Sequence, residues 1–272
     1  MMRIAITLLC ATALHTGCYA AEAGSSAPSY ADVIDRAFSI PSNEVAKVQD
    51  SYASGILRTA LAEMRDCDRC KTDGLLTVVD RAKSRQTISV YLRDGDDWDL
   101  LYYGHVSTGK PGRREHFVTP TGVFVIDGSI LDYRALGTYN ENHIRGVGLK
   151  GMRVWDFGWQ DTQDWRTPDH TVKIRMEMHA TDPDNLEQRI GRPDSEGCIR
   201  IHADLNKALD TLGALDAEPD RMAQSGSAAW RQVLGPGHAY IPVAGNTLVV
   251  VDTTNDRSDT IKVQGVDRLA SQ

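Results

Sequence analysis

The sequence lacks any long run of basic residues, and its formal net charge is −7 at pH 7 over 272 residues. Binding to a nucleic acid backbone needs clustered Lys and Arg, so this balance argues against nucleic acid as a partner. Internal repeats and low-complexity tracts are also missing. The length suits one large domain or one domain with extensions, and a hydrophobic content of 41% supports a packed core.

Apolar runs long enough to cross a membrane are missing after Leu14, so we expect no transmembrane span in the mature protein. The run from Ile4 to Leu14 follows Arg3 and is itself too short for a spanning helix. Small residues at cleavage positions follow it, which is typical of an export signal peptide. We therefore expect residues 1–23 to be a signal peptide and the mature chain to act in an oxidising compartment, a bacterial periplasm.

The N-terminal segment has two alternative interpretations. It could form a buried helix of the folded domain instead of a signal. Gly17-Cys18 also has the junction of a lipoprotein signal, which would give a lipid anchor at Cys18. Such signals usually carry leucine three residues before the cysteine, where this sequence has His15.

Cysteine is scarce, with five in the whole chain. Cys67 and Cys70 form the motif CDRC, which an exported chain would most simply close as a local disulfide. A redox pair and half of a zinc site are the alternatives, but no thioredoxin-like pattern and no second ligand pair at zinc spacing accompany the motif. Cys198 is then the odd thiol, and an odd cysteine in an exported protein is either unusually buried or reactive.

Hydrophobic spacing divides the chain into helical and β segments. Residues 30–64 carry apolar side chains three and four apart, which predicts a helical arm packed on the following domain. The pattern of residues 203–213 predicts a helix capped by Gly213. The aromatic stretch 128–170 could line a substrate groove or cover a sheet. Short β-branched and aromatic runs predict strands at 75–80, 86–92, 100–107, 122–127, 171–179 and 247–252.

The segment TVKIRMEMH, residues 171–179, alternates cleanly between apolar and polar side chains. His179 falls on the polar face of this strand, together with Arg175 and Glu177. A thiol needs a base within hydrogen-bond reach to become a good nucleophile, and histidine is the usual base near neutral pH. His179 and Cys198 are therefore a candidate catalytic pair, and an inert core thiol beside a structural histidine is the alternative.

The neighbours of Cys198 favour a reactive role. Gly197 allows close backbone approach, so that main-chain N–H groups can point at a developing oxyanion. Arg200 lies on the same face as Cys198 if the segment is extended. Its charge could hold a substrate carboxylate or favour a thiolate, and a fold-stabilising charge is the alternative.

Two separated motifs in this sequence resemble a known family. HATDPDNLEQRIGRPDSEGCIRI, residues 179–201, is similar to the signature of the L,D-transpeptidase (YkuD-type) catalytic domain, which ends in Ser-His-Gly-Cys-(Ile/Val)-Arg. VSTGKPGRREHFVTPTGVFVI, residues 106–126, is similar to a second hallmark of that family. The resemblance implies a mainly β, sandwich-like domain with flanking helices. The expected division is a signal peptide (1–23), a helical arm (24–74), the catalytic domain (75–213) and a C-terminal extension with a strand (214–272).

The resemblance implies acyl transfer on peptidoglycan stem peptides, in cell-wall cross-linking or remodelling, without a metal or organic cofactor. Cys198 would form a thioester and His179 would act as base. Backbone N–H groups around Gly197 and Cys198 would hold the oxyanion, Ser195 would order the turn and Arg200 would position substrate. The acceptor would be an amine in a transpeptidase, or water in an L,D-carboxypeptidase or endopeptidase. The oligomeric state is not indicated.

Two positions depart from the family pattern. Ala180 replaces the usual glycine after the histidine, and Glu196 replaces the histidine before Gly-Cys. A carboxylate near the thiol would raise its pKa and disfavour the thiolate. We expect Glu196 instead to contact an ammonium group of the substrate. Because Glu196 could also mark a degenerate site, a non-catalytic cell-wall binding module is a further alternative, as is a disulfide exchanger built on the CDRC motif.

Overall fold

The computed structural model describes residues 50–236, 238 and 240–255. The predicted signal peptide and the first part of the predicted arm therefore lie outside the described residues. Nine strands are described, in chain order β1 (Leu75–Asp80), β2 (Thr87–Asp94), β3 (Asp97–Ser107), β4 (Gly122–Val125), β5 (Tyr133–Arg134), β6 (Arg153–Gln163), β7 (Thr171–Ala180), β8 (Ile199–Ile201) and β9 (Thr247–Val251). The helices are α1 (Asp50–Glu63), α2 (Ala203–Leu212), α3 (Ala217–Gln224) and α4 (Ala228–Leu234), with a short 3₁₀ helix at Glu187–Arg189.

All nine strands belong to one continuous sheet, in the order β4-β9-β1-β2-β3-β8-β7-β6-β5. The long strand β3 joins its two halves, because most of β3 pairs with β2 while its end at Val106 and Ser107 pairs with β8. Side chains from both halves share one buried core with α2, including Val79, Met176 and Leu209. The expectation of a mainly β, sandwich-like domain with flanking helices is confirmed.

The six predicted strands are present within a few residues of their expected limits. Strand β6 is an addition, since it lies inside the aromatic stretch 128–170. It places Trp155 fully in the core and leaves Trp159 63% exposed, so this stretch both builds and borders the sheet. The helices α3 and α4 are further additions within a segment whose mixed polarity gave no clear period.

The described part of the helical arm packs on the sheet as its apolar stripe predicts. Ile56, Ala60 and Met64 are buried against β1, β2 and β9 in a second hydrophobic cluster. The Tyr52 hydroxyl donates to the Asp80 carboxylate at 2.9 Å, which ties α1 to the end of β1. Beyond α1, Cys67 and Cys70 are joined in a disulfide that closes the turn leading into the sheet.

The strand predicted in the C-terminal extension lies inside the sheet. β9 pairs in parallel with β1 and antiparallel with β4, and all five of its residues are buried. The sheet therefore draws on residues from both sides of position 213. The domain limits given above stay a prediction.

Helix α2 ends where the sequence predicts. Gly213 has φ 59° and ψ 37°, a left-handed conformation that glycine adopts without steric cost. Leu205, Leu209 and Leu212 are buried against the sheet. The helix follows β8 almost directly, so it supports the strand that comes after Cys198. None of the described helices is long and apolar enough to cross a membrane.

Candidate active site

Parallel pairing between β7 and β8 brings the two halves of the candidate site together. His179 on β7 is in register with Arg200 on β8, and Met178 is in register with Ile199. Cys198 comes directly before β8 and therefore lies alongside the polar face of β7. Its thiol donates weakly to the Arg175 carbonyl oxygen, 3.9 Å away.

Three side chains converge at this point. A carboxylate oxygen of Glu177, a ring nitrogen of His179 and the Cys198 sulfur all lie within 4.8 Å of one another. Of the cysteines that the structure describes, Cys198 carries the free thiol, and it is half-buried. The predicted pair of Cys198 and His179 is therefore placed together. One divalent cation would also fit such a sulfur, nitrogen and oxygen donor set.

The turn that presents the thiol is held by its own side chain. The Ser195 hydroxyl donates to the Cys198 carbonyl at 2.6 Å and accepts the Gly197 N–H at 3.1 Å. Gly197 has φ 129°, and a Cβ there would lie 2.6 Å from the Ile174 side chain. Both facts require glycine. The two Ser195 bonds lie within this turn, and the one to the Gly197 N–H occupies one of the two predicted oxyanion donors.

The second motif of the sequence clamps this turn from the other side. The Thr119 hydroxyl donates to the Gly197 carbonyl at 2.8 Å and accepts the Gly109 N–H at 2.8 Å. The ring of His116 donates from Nδ1 to the Ser195 carbonyl at 2.9 Å. Residues 106–126 therefore support the cysteine turn. Sequence reasoning assigned no role to Thr119 or His116, although both lie within the quoted motif.

His179 is oriented to act as a base. Its Nδ1–H donates to the Ala180 carbonyl at 2.6 Å, so the neutral ring keeps its lone pair on Nε2. The pKa of His179 is lowered to about 4, mainly by burial and also by the nearby Arg200 charge, while the bond to Ala180 opposes the shift. The imidazole is thus neutral at neutral pH and available to accept a proton.

The thiol is also neutral at rest. Burial raises the pKa of Cys198 to about 11, and the carboxylates of Glu177 and Glu196 add to this increase. The Arg200 charge and the backbone of Glu177 act in the opposite direction. With a high thiol pKa and a low imidazole pKa, the resting pair is a thiol beside an imidazole rather than an ion pair. Proton transfer must therefore accompany attack on a substrate.

Glu177 is a site residue that the sequence analysis did not select. It is half-buried and its carboxylate accepts a hydrogen bond from the Tyr133 hydroxyl at 3.0 Å. Burial raises the pKa of Glu177, and the Tyr133 bond opposes that increase. The sequence did contain an indication of this role. Glu177 is two residues before His179, so the alternation of the strand places both side chains on the same face.

Arg200 and Glu196 are the two other charged side chains that act on the Cys198 thiol. The Arg200 guanidinium donates to the Asp194 carbonyl at 3.1 Å, so it braces the loop before the turn, and its role toward substrate stays a prediction. Glu196 is exposed on the turn, and it forms no ion pair with any residue that the structure describes. The suggested Glu196 contact with substrate ammonium also stays a prediction.

The family model for the YkuD L,D-transpeptidase catalytic domain matches residues 76–237. No curated protein matches the sequence significantly. Solved structures with similarity include an L,D-transpeptidase (Yku) from Stackebrandtia nassauensis, at 15% identity and a TM-score of 0.29, covering 81% of this chain and 76% of that one. Bd1075 from Bdellovibrio bacteriovorus is 15% identical with a TM-score of 0.32, covering 66% of this chain and 48% of that one.

A fused Zn-dependent amidase/peptidase/peptidoglycan-binding domain-containing protein from Clostridium acetobutylicum ATCC 824 is 13% identical with a TM-score of 0.27. That match covers 75% of this chain and 65% of the Clostridium protein. The chain thus spans about two thirds of that protein and about half of the Bdellovibrio protein. The family assignment rests on the model match, which extends over more than half of the sequence. The chain belongs to the L,D-transpeptidase (YkuD) family, whose members modify peptidoglycan.

Proposed function

We propose that this protein is an exported, cysteine-dependent acyltransferase that acts on peptidoglycan stem peptides in the periplasm. The observation that carries the proposal is the meeting of the Cys198 thiol, the His179 ring and Glu177 within 4.8 Å in a chain of this family. The hydrogen bond from His179 Nδ1 to the Ala180 carbonyl supports it, because the base nitrogen is left free. The CDRC disulfide is consistent with an oxidising compartment.

In the acylation step, His179 takes the thiol proton as the sulfur attacks the carbonyl carbon of the donor stem peptide. The C–S bond forms, the peptide C–N bond breaks, and His179 returns the proton to the departing amine. Transfer reverses the roles, since an acceptor amine attacks the thioester and Cys198 recovers its proton through His179. In hydrolysis, water takes the place of the amine.

Ser195 and Thr119 contribute by holding the cysteine turn in one geometry. Their hydroxyl groups bind the carbonyl oxygens of Cys198 and Gly197, so these oxygens do not face the developing negative charge. The Cys198 N–H is the backbone donor that we assign to the oxyanion. Such positioning is important because a preorganised donor contributes on the order of 10²–10³-fold in rate.

The test uses the mature protein and Cys198→Ala, each incubated with purified disaccharide-tetrapeptide and followed by mass spectrometry. Cross-linked dimer formed by the wild type alone is the expected result. Tripeptide without dimer, formed by the wild type alone, would replace transfer by hydrolysis at the same cysteine. Stem peptide that binds without turnover in either protein would contradict the enzyme and indicate a binding module. Glu63→Gln, an exposed position on helix α1, serves as the control and should keep full activity.

A further inference from the structure

The carboxylate next to the nucleophile forms no salt bridge with the residues that the structure describes, although the Arg175 charge lowers its pKa from a longer distance. Glu177 accepts one hydrogen bond, from the neutral Tyr133 hydroxyl at 3.0 Å. The nearest cation on the same strand, Arg175, is committed elsewhere, because its guanidinium binds the buried Asp156 through Nε at 2.8 Å and Nη2 at 2.5 Å. Glu177 is therefore a half-buried carboxylate beside the thiol whose charge is only partly offset by Arg175.

This placement has a cost for the first half of the reaction. A negative charge beside a thiol disfavours the thiolate, and Glu177 acts on Cys198 in this direction. A neutral side chain at position 177 would make the thiol easier to deprotonate. A carboxylate at this place would favour a step in which a positive charge approaches the sulfur.

We propose that Glu177 binds the ammonium group of the amine acceptor and so directs the thioester toward transfer instead of hydrolysis. The assignment rests on the proposed acyltransferase function. Acceptor amines are protonated near neutral pH, and a half-buried carboxylate binds an ammonium group through a charge-assisted hydrogen bond. Water carries no charge, so Glu177 does not hold the competing nucleophile in the same way.

The geometry suits this role. The Glu177 oxygen is within 4.8 Å of the Cys198 sulfur, which puts a bound amine nitrogen next to the thioester carbonyl. Tyr133 is 39% exposed and its hydroxyl donates to the carboxylate, so the pair is reachable from solvent. Glu177 is thus an acceptor-binding residue, and Tyr133 is the residue that positions it.

In the transfer step, the acceptor nitrogen replaces the Cys198 sulfur on the acyl carbon. The acceptor ammonium releases one proton to solvent, and its nitrogen then forms a C–N bond with the thioester carbonyl carbon. The C–S bond to Cys198 breaks. The second proton from nitrogen passes through His179 to the sulfur, which regenerates the thiol and the neutral imidazole.

The experiment compares wild type, Glu177→Gln and the matched control Glu63→Gln at pH 8. Disaccharide-tetrapeptide is the donor, and the acceptor is a stem tripeptide with a free side-chain amine. For Glu177→Gln we expect the KM for the acceptor to rise about tenfold or more, and the ratio of dimer to tripeptide product to fall equally. Glu63→Gln should leave both values unchanged, because Glu63 is exposed on helix α1 and no part of the proposed site involves it.

Two further readouts separate acceptor binding from a structural role. Hydroxylamine is largely uncharged at pH 8, so Glu177→Gln should keep its transfer to hydroxylamine, and Cys198 alkylation by iodoacetamide should not slow. Tyr133→Phe should show a weaker form of the same defect, while Glu177→Asp should recover part of the acceptor preference.

An unchanged acceptor KM in Glu177→Gln, or an equal loss with the amine and with hydroxylamine, would overturn the proposal while leaving the acyltransferase intact. A wild type that forms no Cys198-dependent product would remove the proposed function, and the role of Glu177 with it.

Discussion

Strand β7 separates two groups of buried ionisable side chains, one around Arg153 on β6 and one around Cys198 before β8. In the Arg153 group the guanidinium is paired with carboxylates, although burial raises the pKa of Asp132 and raises that of Asp216 to about 6. The Arg153 guanidinium contacts Asp132 and Asp216 at 2.8 Å each and Asp210 at 3.5 Å, and the side chain is fully buried. Burial alone would lower the pKa of Arg153, but the carboxylates outweigh it and raise that pKa.

In the group around Cys198, burial instead favours the neutral forms of the ionisable side chains. Burial moves the pKa of His179 down to about 4 and that of Cys198 up to about 11, so both groups are held in their neutral forms. Glu177 and Arg200 act on the thiol in opposite directions and partly cancel. The difference shows that several fixed carboxylates keep the buried Arg153 charged, whereas burial with fewer charged neighbours favours the neutral forms of His179 and Cys198.

The largest expected effect is on the chemistry of the neutral group. His179→Gln should lower kcat/KM for acyl transfer by about 10²–10⁴-fold, because the thiol loses the base that takes its proton. Steady-state kinetics with disaccharide-tetrapeptide measure this loss. His170→Gln, at an exposed position, is the matched control and should keep full activity. Retained activity in His179→Gln would show that another group is the base.

The paired group should instead respond in stability. Arg153→Met leaves Asp132 and Asp216 buried without their cation, so the free energy of unfolding should fall by about 3–5 kcal/mol, measured by urea titration. Lys173→Met is the control, since Lys173 and Asp161 form a pair in which both side chains are 63% exposed. That change should cost at most about 1 kcal/mol. Equal losses in both variants would contradict the distinction.

The pH dependence tests the neutral resting state directly. Iodoacetamide alkylation of Cys198 should rise with a midpoint near pH 11, where an ordinary thiol gives 9.0. At pH 8 the thiolate fraction is then about a hundredfold below that of a free thiol. On the acid side, kcat/KM should fall only as the pH drops through about 4, when His179 gains its proton. A free cysteine peptide is the control, and a thiol midpoint below 9 would indicate an ion pair.

The smallest expected effect concerns the turn. Gly197→Ala combines a φ of 129° with a Cβ that would lie 2.6 Å from Ile174, so it should cost about 1–3 kcal/mol of stability and reduce transfer. Gly226→Ala is the control, because Gly226 has φ 111° but open space around its Cβ position. A larger loss for Gly226 than for Gly197 would show that the contact with Ile174 is not important.

Short-range patterns explain why much of the fold could be predicted. Alternation predicted β7 and the face that carries His179, and apolar spacing with Gly213 predicted α2 and its end. Strand β6 could not be read in the same way. Its pairing with β7 shifts register between Asp156 and Trp159, around Gly158 at φ 75°, and this bulge breaks the period of two.

The site was predictable where a motif carried it and not where distant pairing decided it. Cys198 and His179 follow from the motif. Whether Glu177 or Glu196 lies beside the thiol depends on the parallel register of β7 with β8 and on the shape of the cysteine turn. Residues 106–126, which are distant in sequence, hold that turn. Sequence spacing predicts neither the register nor the shape of the turn. Glu196 is nearest to Cys198 in sequence, but Glu177 is the carboxylate grouped with the thiol in the structure.

The central claim is that Cys198 carries the acyl group between donor and acceptor. The most direct measurement is intact-protein mass spectrometry of the mature enzyme, quenched in acid shortly after mixing with disaccharide-tetrapeptide. We expect an adduct on Cys198 with the mass of the disaccharide-tripeptide acyl group. Hydroxylamine should cleave this adduct, and Cys198→Ala should not form it. Product formation by Cys198→Ala at the wild-type rate, without any adduct, would contradict it.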